Sequence, residues 1–121
     1  MFEVSVSAAF EAAHTIEAPE GALGYRRVHG HSFLVTAHAA AERPDASGWV
    51  IDLGRFEAAL KDVLAGLDHT LLNDVPGLGQ PTFENLLVWI DARLIERGVT
   101  PSRLEIERPL LRQRAVYTPR R

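Results

Sequence analysis

Two histidines separated by a single glycine, His29-Gly30-His31, are the residues of this chain best suited by type and spacing to chemistry. In an extended strand, successive side chains alternate between the two faces, so both imidazoles would point to the same side. His14 lies fifteen residues upstream, at the end of another alternating segment, and can supply a third imidazole. Three nitrogen ligands with an open fourth position are typical of catalytic zinc. The spacing therefore predicts a Zn²⁺ site, with hydrogen-bonded core or surface histidines as the alternative.

Composition excludes several other classes of function. The chain has 121 residues, 13 Lys and Arg against 16 Asp and Glu, and no cysteine. This balance offers no basic surface, so we expect no nucleic-acid partner, and no apolar run reaches the ~18 residues of a membrane span. Without thiols, a metal must be held by nitrogen and oxygen. The first residues do not resemble a signal peptide, so we expect a cytoplasmic protein. The length of the chain predicts one domain over residues 1–121.

Two long strands are predicted to carry the histidines. Over residues 2–14, apolar side chains alternate with polar ones, and the apolar face ends in His14. Residues 15–27 combine proline, glycine and charge, which predicts a loop. Strand character returns over residues 28–42, which begin with the His-Gly-His motif. His38 has the opposite parity to that motif and is expected to lie outside the site.

Two helices and two further strands follow. Asp52 and Thr82 each precede apolar residues at helical spacing, and both are side chains favoured at a helix N-cap. The predicted elements are helices over residues 53–66 and 82–98 and strands over residues 103–107 and 114–118.

The resulting order is strand, strand, helix, helix, strand, strand. It predicts an α+β fold in which an antiparallel sheet carries both helices on one face. A sheet of about four strands leaves its edges open, which favours completion by another subunit. We therefore expect a homo-oligomer.

Six short motifs, taken in order, resemble those of the 6-pyruvoyl-tetrahydropterin synthase family, which includes the bacterial 6-carboxytetrahydropterin synthases of queuosine biosynthesis. The motifs are Phe10-x-Ala12-Ala13-His14, His29-Gly30-His31, Gly48-x-Val50-x-Asp52-Leu53, Leu67-Asp68-His69-x-x-Leu72-Asn73, Pro81-Thr82-x-Glu84-Asn85 and a late strand that ends at Glu107. The resemblance runs through most of the chain. It implies the tunnelling fold, in which trimers close their sheets into a barrel and two barrels stack as a hexamer with active sites between subunits.

The resemblance also implies a cofactor, a substrate and roles for individual residues. The cofactor would be Zn²⁺, and the substrate would be 7,8-dihydroneopterin triphosphate or a close relative. The implied residues are His14, His29 and His31 for the metal, Asp68 and His69 for catalysis, and Glu107 and Thr82 for the substrate.

Physical chemistry supplies a reason for these roles, and also a structural alternative. A pterin presents an amide N–H beside an exocyclic amine, and the carboxylate of Glu107 can accept both hydrogen bonds. His69 titrates in the range suited to acid–base catalysis, and Asp68 pairs with it either within one chain or across a subunit boundary. The alternatives are a solvated Glu107 and, at Asp68 and His69, a polar helix end.

The chain departs from the family at the residue expected to act as the base. Family members commonly place a cysteine a few residues before His-Gly-His, and this chain has none. Tyr25 stands at that place, four residues before His29. Because tyrosine ordinarily has a pKa of about 10, its anion would need Zn²⁺, Arg26 or Arg27 for stabilisation. Glu20 is the alternative base.

A second departure is Arg108, which stands where the family often has a threonine after the pterin-binding glutamate. The arginine either pairs with Glu107 and weakens pterin binding, or holds a phosphate or carboxylate of a different substrate. Both departures therefore fall in the site.

Three functions are compatible with these features. The first is a zinc-dependent lyase of the 6-carboxytetrahydropterin synthase type with an altered base. The second is a retro-aldol cleavage to 6-hydroxymethyl-dihydropterin, and the third is a pterin- or purine-binding module without turnover. An acid–base pair at Asp68 and His69 beside intact metal ligands favours an enzyme, because binding alone needs no such pair. We expect the lyase.

Overall fold

The computed structural model describes residues 1–18, 20–21 and 23–121. Its strands are β1 (Phe2–His14), β2 (His29–Ala41), β3 (Arg103–Arg108) and β4 (Gln113–Tyr117). They form one sheet in the order β1-β2-β3-β4, and every neighbouring pair is antiparallel. The predicted antiparallel α+β architecture is confirmed.

The helices are α1 (Leu23–Arg26), α2 (Leu53–Ala65) and α3 (Phe83–Glu96). The two longer helices begin where predicted, because Asp52 accepts a hydrogen bond from the backbone N–H of Gly54 at 2.9 Å and Thr82 accepts one from Asn85 at 3.3 Å. The short α1 corrects the loop predicted over residues 15–27, since four residues are too few to show helical periodicity. None of the helices in the described part of the chain has the length and hydropathy needed to cross a membrane.

The apolar faces of β1 and β2 contribute a third of the buried apolar residues among those described. Phe10 pairs with Phe33 across the two strands, and their rings stack with centroids 4.8 Å apart. Leu60 of α2, Ile90 of α3 and Ile106 of β3 are completely buried in the same core. Burial of each such side chain stabilises the fold by ~1.5–3 kcal/mol. The core therefore fixes which face of each strand lies toward the helices.

The register of β1 against β2 brings three histidines to one end of the sheet. His14 lies opposite His29, and His31 lies opposite Ala12. Because side chains alternate along a strand, all three imidazoles share the face of Phe33. The core side of the sheet therefore ends in a cluster of imidazoles.

The chain that follows α2 returns along the edge of β1, next to this end of the sheet. The backbone N–H of His69 donates to the carbonyl oxygen of Glu11 at 2.6 Å, and that of Ala13 donates to Thr70 at 3.0 Å. Ala13 and Leu71 form an isolated parallel β-bridge. These bonds hold His69 beside the histidine end of the strand.

Candidate metal and active site

Three imidazoles converge where β1 ends and β2 begins. The ring centroids of His14 and His29 are 4.5 Å apart, those of His14 and His31 are 5.0 Å apart, and those of His29 and His31 are 4.9 Å apart. One ring nitrogen of each lies within 4.8 Å of the other two. Small rotations of the rings would bring this spacing within reach of one ion with bonds of ~2.1 Å. The structure therefore brings together the three residues that the sequence predicts as ligands.

Backbone carbonyls orient two of these rings. Nδ1 of His14 donates to the carbonyl oxygen of Pro81 at 3.2 Å, and Nδ1 of His29 donates to that of Arg27 at 2.7 Å. A carbonyl oxygen only accepts, so each ring is protonated at Nδ1 and has a lone pair at Nε2. Nε2 of His14 is buried and has no hydrogen-bond partner among the described residues. A buried, unpartnered lone pair of this kind fits a metal ligand.

The surroundings of the cluster favour the uncharged form of two of its imidazoles, those of His14 and His31. Burial lowers the pKa of His14 below its ordinary value. Burial, followed by the positive charge of Arg108, lowers the pKa of His31 to about 4. Neutral imidazole is the form that binds a metal, so these two rings are ready to do so at neutral pH.

A carboxylate and an imidazole form a contact pair beside the cluster. Nδ1 of His69 lies 2.8 Å from Oδ2 of Asp68, and Oδ1 of Asp68 accepts a hydrogen bond of 2.9 Å from the backbone N–H of Glu11. The bond from Glu11 is the largest cause of a lowered pKa for Asp68, and the bond to Asp68 raises the pKa of His69. Of the two pairings that the sequence left open, the one within a single chain is therefore formed.

An open cleft of about 920 Å³ connects the cluster with this pair. Its lining includes His29, His31, His69, Arg108 and the leucines of the short 3₁₀ turn Pro109–Leu111. The side chain of His69 is 78% exposed, so its free ring nitrogen is open to a ligand. The cleft is large enough for a small-molecule substrate, since such sites span ~300–1,000 Å³.

Tyr25 does not line the cleft that His69 lines. It lines a smaller cavity of about 230 Å³ together with His14, His29 and Thr82. Glu20, the alternative base, is exposed and lines neither of the two cavities. Of these two candidate residues, the structure places Tyr25 against the histidine cluster.

Glu107 and Arg108 point to opposite faces of β3. Ile106 is buried in the core opposite Val35, and Arg108, two residues further on, shares its face. Glu107 lies opposite Leu34, is half-buried, and forms no hydrogen bond or ion pair with the described residues. The pairing of Glu107 with Arg108 that the sequence left open is therefore not formed.

Arg108 meets the cluster directly. Its Nη1 lies 3.4 Å from Nε2 of His31, and its guanidinium carbon lies 4.2 Å from the centroid of the Phe83 ring. Phe83 and the orienting carbonyls of Arg27 and Pro81 are site features that the sequence analysis missed. The Pro81-Thr82 motif was the signal that could have placed the start of α3 against the histidines.

The remaining predicted residues have simple locations. The hydroxyl of Thr82 caps α3 and also faces the smaller cavity. His38 lies on the opposite face of the sheet, where its Nε2 is 2.7 Å from a carboxylate oxygen of Glu105. His38 is thus outside the cluster, as its parity predicts.

Comparisons with known proteins support this architecture. Residues 3–117 match the family model for 6-pyruvoyl tetrahydropterin synthase. A 6-carboxy-5,6,7,8-tetrahydropterin synthase of Synechocystis sp. is 41% identical over 74% of this chain and 72% of its own length. A putative enzyme of the same name from Archaeoglobus fulgidus is 32% identical over 85% of this chain and 84% of its own length.

A solved structure agrees with the sequence relatives. The 6-pyruvoyl tetrahydropterin synthase of Caenorhabditis elegans superposes with a TM-score of 0.78 at 19% identity, over 98% of this chain and 96% of that chain. At this identity the likeness concerns the fold. Together with the match over residues 3–117, it leads to one conclusion: the chain belongs to the 6-pyruvoyl tetrahydropterin synthase family.

Proposed function

We propose that this protein is a zinc-dependent pterin lyase of the 6-carboxytetrahydropterin synthase type, acting on 7,8-dihydroneopterin triphosphate or a close relative. The observation that carries the proposal is the convergence of three imidazoles whose ligand atoms lie within 4.8 Å of one another. The names of the relatives from Synechocystis and Archaeoglobus supply the reaction type.

His14, His29 and His31 would hold the zinc. The ion would supply Lewis-acid polarisation of an oxygen on the substrate side chain, because three protein ligands leave a coordination position open. The backbone acceptors on Nδ1 of His14 and His29 direct Nε2 of both rings toward the shared centre.

His69 is the proposed acid–base group of the cleft. Its hydrogen bond to Asp68 fixes the ring with the proton on Nδ1, so Nε2 is the atom that exchanges a proton with the substrate. Asp68 acts through His69 as a positioning residue. The raised pKa of His69 keeps more of the protonated, acid form at neutral pH than an isolated histidine would.

Tyr25 is the proposed base in the place of the family cysteine. It lines the cavity shared with His14 and His29, which His69 does not line. Arg108 lines the same cavity, so its guanidinium is a cation placed to stabilise a phenolate there. The cation beside Tyr25 is therefore Arg108 in addition to its sequence neighbours Arg26 and Arg27.

Glu107 is the proposed anchor of the pterin ring, and its position argues for an assembly. It lies on the face of the sheet opposite the histidines, so one pterin is expected to meet Glu107 of one subunit and the cluster of another. The edge of β4, and the edge of β1 ahead of its pairing with His69–Leu71, allow the sheets of neighbouring subunits to pair. We propose a trimer or hexamer with active sites between subunits, in which Thr82 adds a hydroxyl contact to substrate.

The experiment that tests the function is mass analysis of the products formed from 7,8-dihydroneopterin triphosphate by zinc-loaded protein. A 6-carboxy or 6-pyruvoyl product that is lost in His69→Ala supports the lyase. A 6-hydroxymethyl product would instead identify the retro-aldol reaction. Substrate that binds without turnover would overturn the enzyme proposal and leave a binding module.

A further inference from the structure

Arg108 carries a positive charge on the wall between the two cavities of the site, and it lines both of them. Its guanidinium rests on the ring of Phe83 at 4.2 Å, which directs the planar group toward the imidazoles. Its Nε is buried and finds no hydrogen-bond partner among the described residues. The side chain is therefore held in place by packing, with donors left over.

No carboxylate of the described residues lies within ion-pair distance of Arg108. Tyr25 and Glu84 line the smaller cavity with it but form no hydrogen bond or ion pair to it, and Glu107 points to the other face of the sheet. Other arginines near the sheet and helices have carboxylate partners. These pairs are Arg97 with Asp62, Arg103 with Glu3, Arg114 with Glu105 and Arg121 with Asp91.

A half-buried arginine without an anion is costly, because the charge loses hydration and gains no opposite charge in return. A bound ligand that supplies the missing anion would offset this cost. The guanidinium presents paired N–H donors in a plane, which match the oxygens of a phosphate or a carboxylate.

The contact of Arg108 with His31 indicates where that anion would bind. A guanidinium can only donate, so Nε2 of His31 accepts the bond of 3.4 Å with its lone pair, and a metal held at that nitrogen would need the same lone pair. When that lone pair binds a metal, the arginine loses this acceptor while Phe83 keeps it nearby. Two adjacent cations repel each other unless an anion lies between them.

We infer that Arg108 binds an oxyanion of the substrate, a phosphate or a carboxylate, beside the metal position; this inference rests on the proposed metal site. With zinc held by the three histidines, an oxyanion bound to Arg108 would lie next to the ion, so metal and oxyanion binding would strengthen each other. Substrates with such a group next to the reacting side chain are selected over neutral pterins.

The test is a calorimetric titration of zinc-loaded protein with inorganic phosphate and, in a separate arm, with acetate. Loss of a charge-assisted hydrogen bond is expected to weaken oxyanion binding about tenfold or more in Arg108→Gln. Arg108→Lys keeps the charge without the planar pair of N–H donors, so its oxyanion affinity should lie between those of wild type and Arg108→Gln. Arg112→Gln removes an exposed arginine four residues away and should bind as the wild type does. Preference for phosphate or for acetate identifies the source of the oxyanion.

Zinc content, measured on every sample before and after titration, separates this inference from the proposed function. With zinc at full occupancy, equal oxyanion affinity in wild type and Arg108→Gln would overturn the role of Arg108 and leave the metal site standing. If wild type takes up no zinc, the metal site is wrong, and the same titrations on metal-free protein decide for Arg108. In metal-free protein, oxyanion binding that is lost in Arg108→Gln supports the role of Arg108, and absence of oxyanion binding in wild type refutes that role.

A second readout uses the metal alone. Because Arg108 and the metal compete for Nε2 of His31, Arg108→Gln should bind zinc several-fold more tightly than wild type when no oxyanion is present. Weaker zinc binding in this variant would mean that the arginine supports the metal ligands, which contradicts the competition.

Discussion

His69 donates a hydrogen bond of 2.8 Å from Nδ1 to Oδ2 of Asp68, the residue directly before it in the chain. Adjacent side chains point apart in a regular helix or strand, and these two meet because His69 has a left-handed backbone with φ of 57°. The second oxygen of Asp68 is held by the backbone N–H of Glu11. The imidazole thus keeps one tautomer, with Nε2 directed to the solvent side of the cleft.

The first prediction concerns the protonation of this pair. NMR titration should give His69 a pKa above the ordinary histidine value of 6.5, and Asp68→Asn should lower it, because the variant removes the carboxylate that stabilises imidazolium. Glu11→Gln is the matched control, since it removes a nearby charge that contributes less than Asp68 does. An unchanged His69 titration in Asp68→Asn would show that the pair does not form in solution.

The same shifts give a direction for stability against pH. The folded pKa of His69 is raised, so its contribution is present below pH 6.5 and is lost as the pH rises through the folded pKa. The folded pKa of Asp68 is lowered from 3.8, so its contribution is present above that value and is lost as the pH falls through the folded pKa. When thermal unfolding is measured across this pH range, Asp68→Asn should therefore lack the decrease in stability at high pH that His69 causes in wild type.

The second prediction is metal stoichiometry. The purified protein should bind about one zinc per chain. His29→Ala should weaken zinc binding by more than about a hundredfold, because loss of even an outer partner of a metal ligand costs ~10–100-fold. His69→Ala is the control, since it removes an exposed imidazole outside the cluster and should leave zinc content unchanged. Elemental analysis after dialysis decides, and equal zinc in wild type and His29→Ala would reject the ligand assignment.

The third prediction addresses the missing cysteine. Tyr25→Phe removes only the hydroxyl of a half-exposed side chain and should lower kcat by ~10²–10⁴, the usual contribution of a general base. Glu20→Gln should keep wild-type kcat, because Glu20 lines neither cavity. Rates of product formation at saturating substrate measure both. The reverse result, with loss of activity only in Glu20→Gln, would assign the base to Glu20.

Much of this site could be predicted from alternation along single strands. The parity of His14, His29 and His31 placed their imidazoles on one face, and the register of β1 against β2 then brought them together. The same rule applied to Leu104 and Ile106 would have put Arg108 with the histidines and Glu107 on the opposite face.

Other features depend on contacts that local sequence does not encode. The bond from Glu11 to Asp68 joins residues 57 positions apart. His69 has a left-handed φ, but histidine also adopts ordinary helical and strand conformations, so the residue type does not predict this φ. The Pro81 carbonyl that orients His14 comes from a loop 67 residues downstream. Each is fixed by how the elements pack, so residue type alone could not predict it.

The fourth prediction follows from Glu107 and the histidine cluster lying on opposite faces of the sheet. Glu107→Gln should remove most of the pterin affinity, because an amide cannot accept both hydrogen bonds of the pterin with full charge. His29→Ala should be inactive for the separate reason that it lacks the metal.

If each site combines Glu107 of one subunit with the cluster of another, a mixture of these two inactive variants contains some sites with both parts intact. Random assembly of equal amounts should restore about one quarter of wild-type activity. Co-refolding of differently tagged variants tests this, with each variant refolded alone as the control, and a mixed oligomer that stays inactive would place Glu107 and the histidines in one subunit's site.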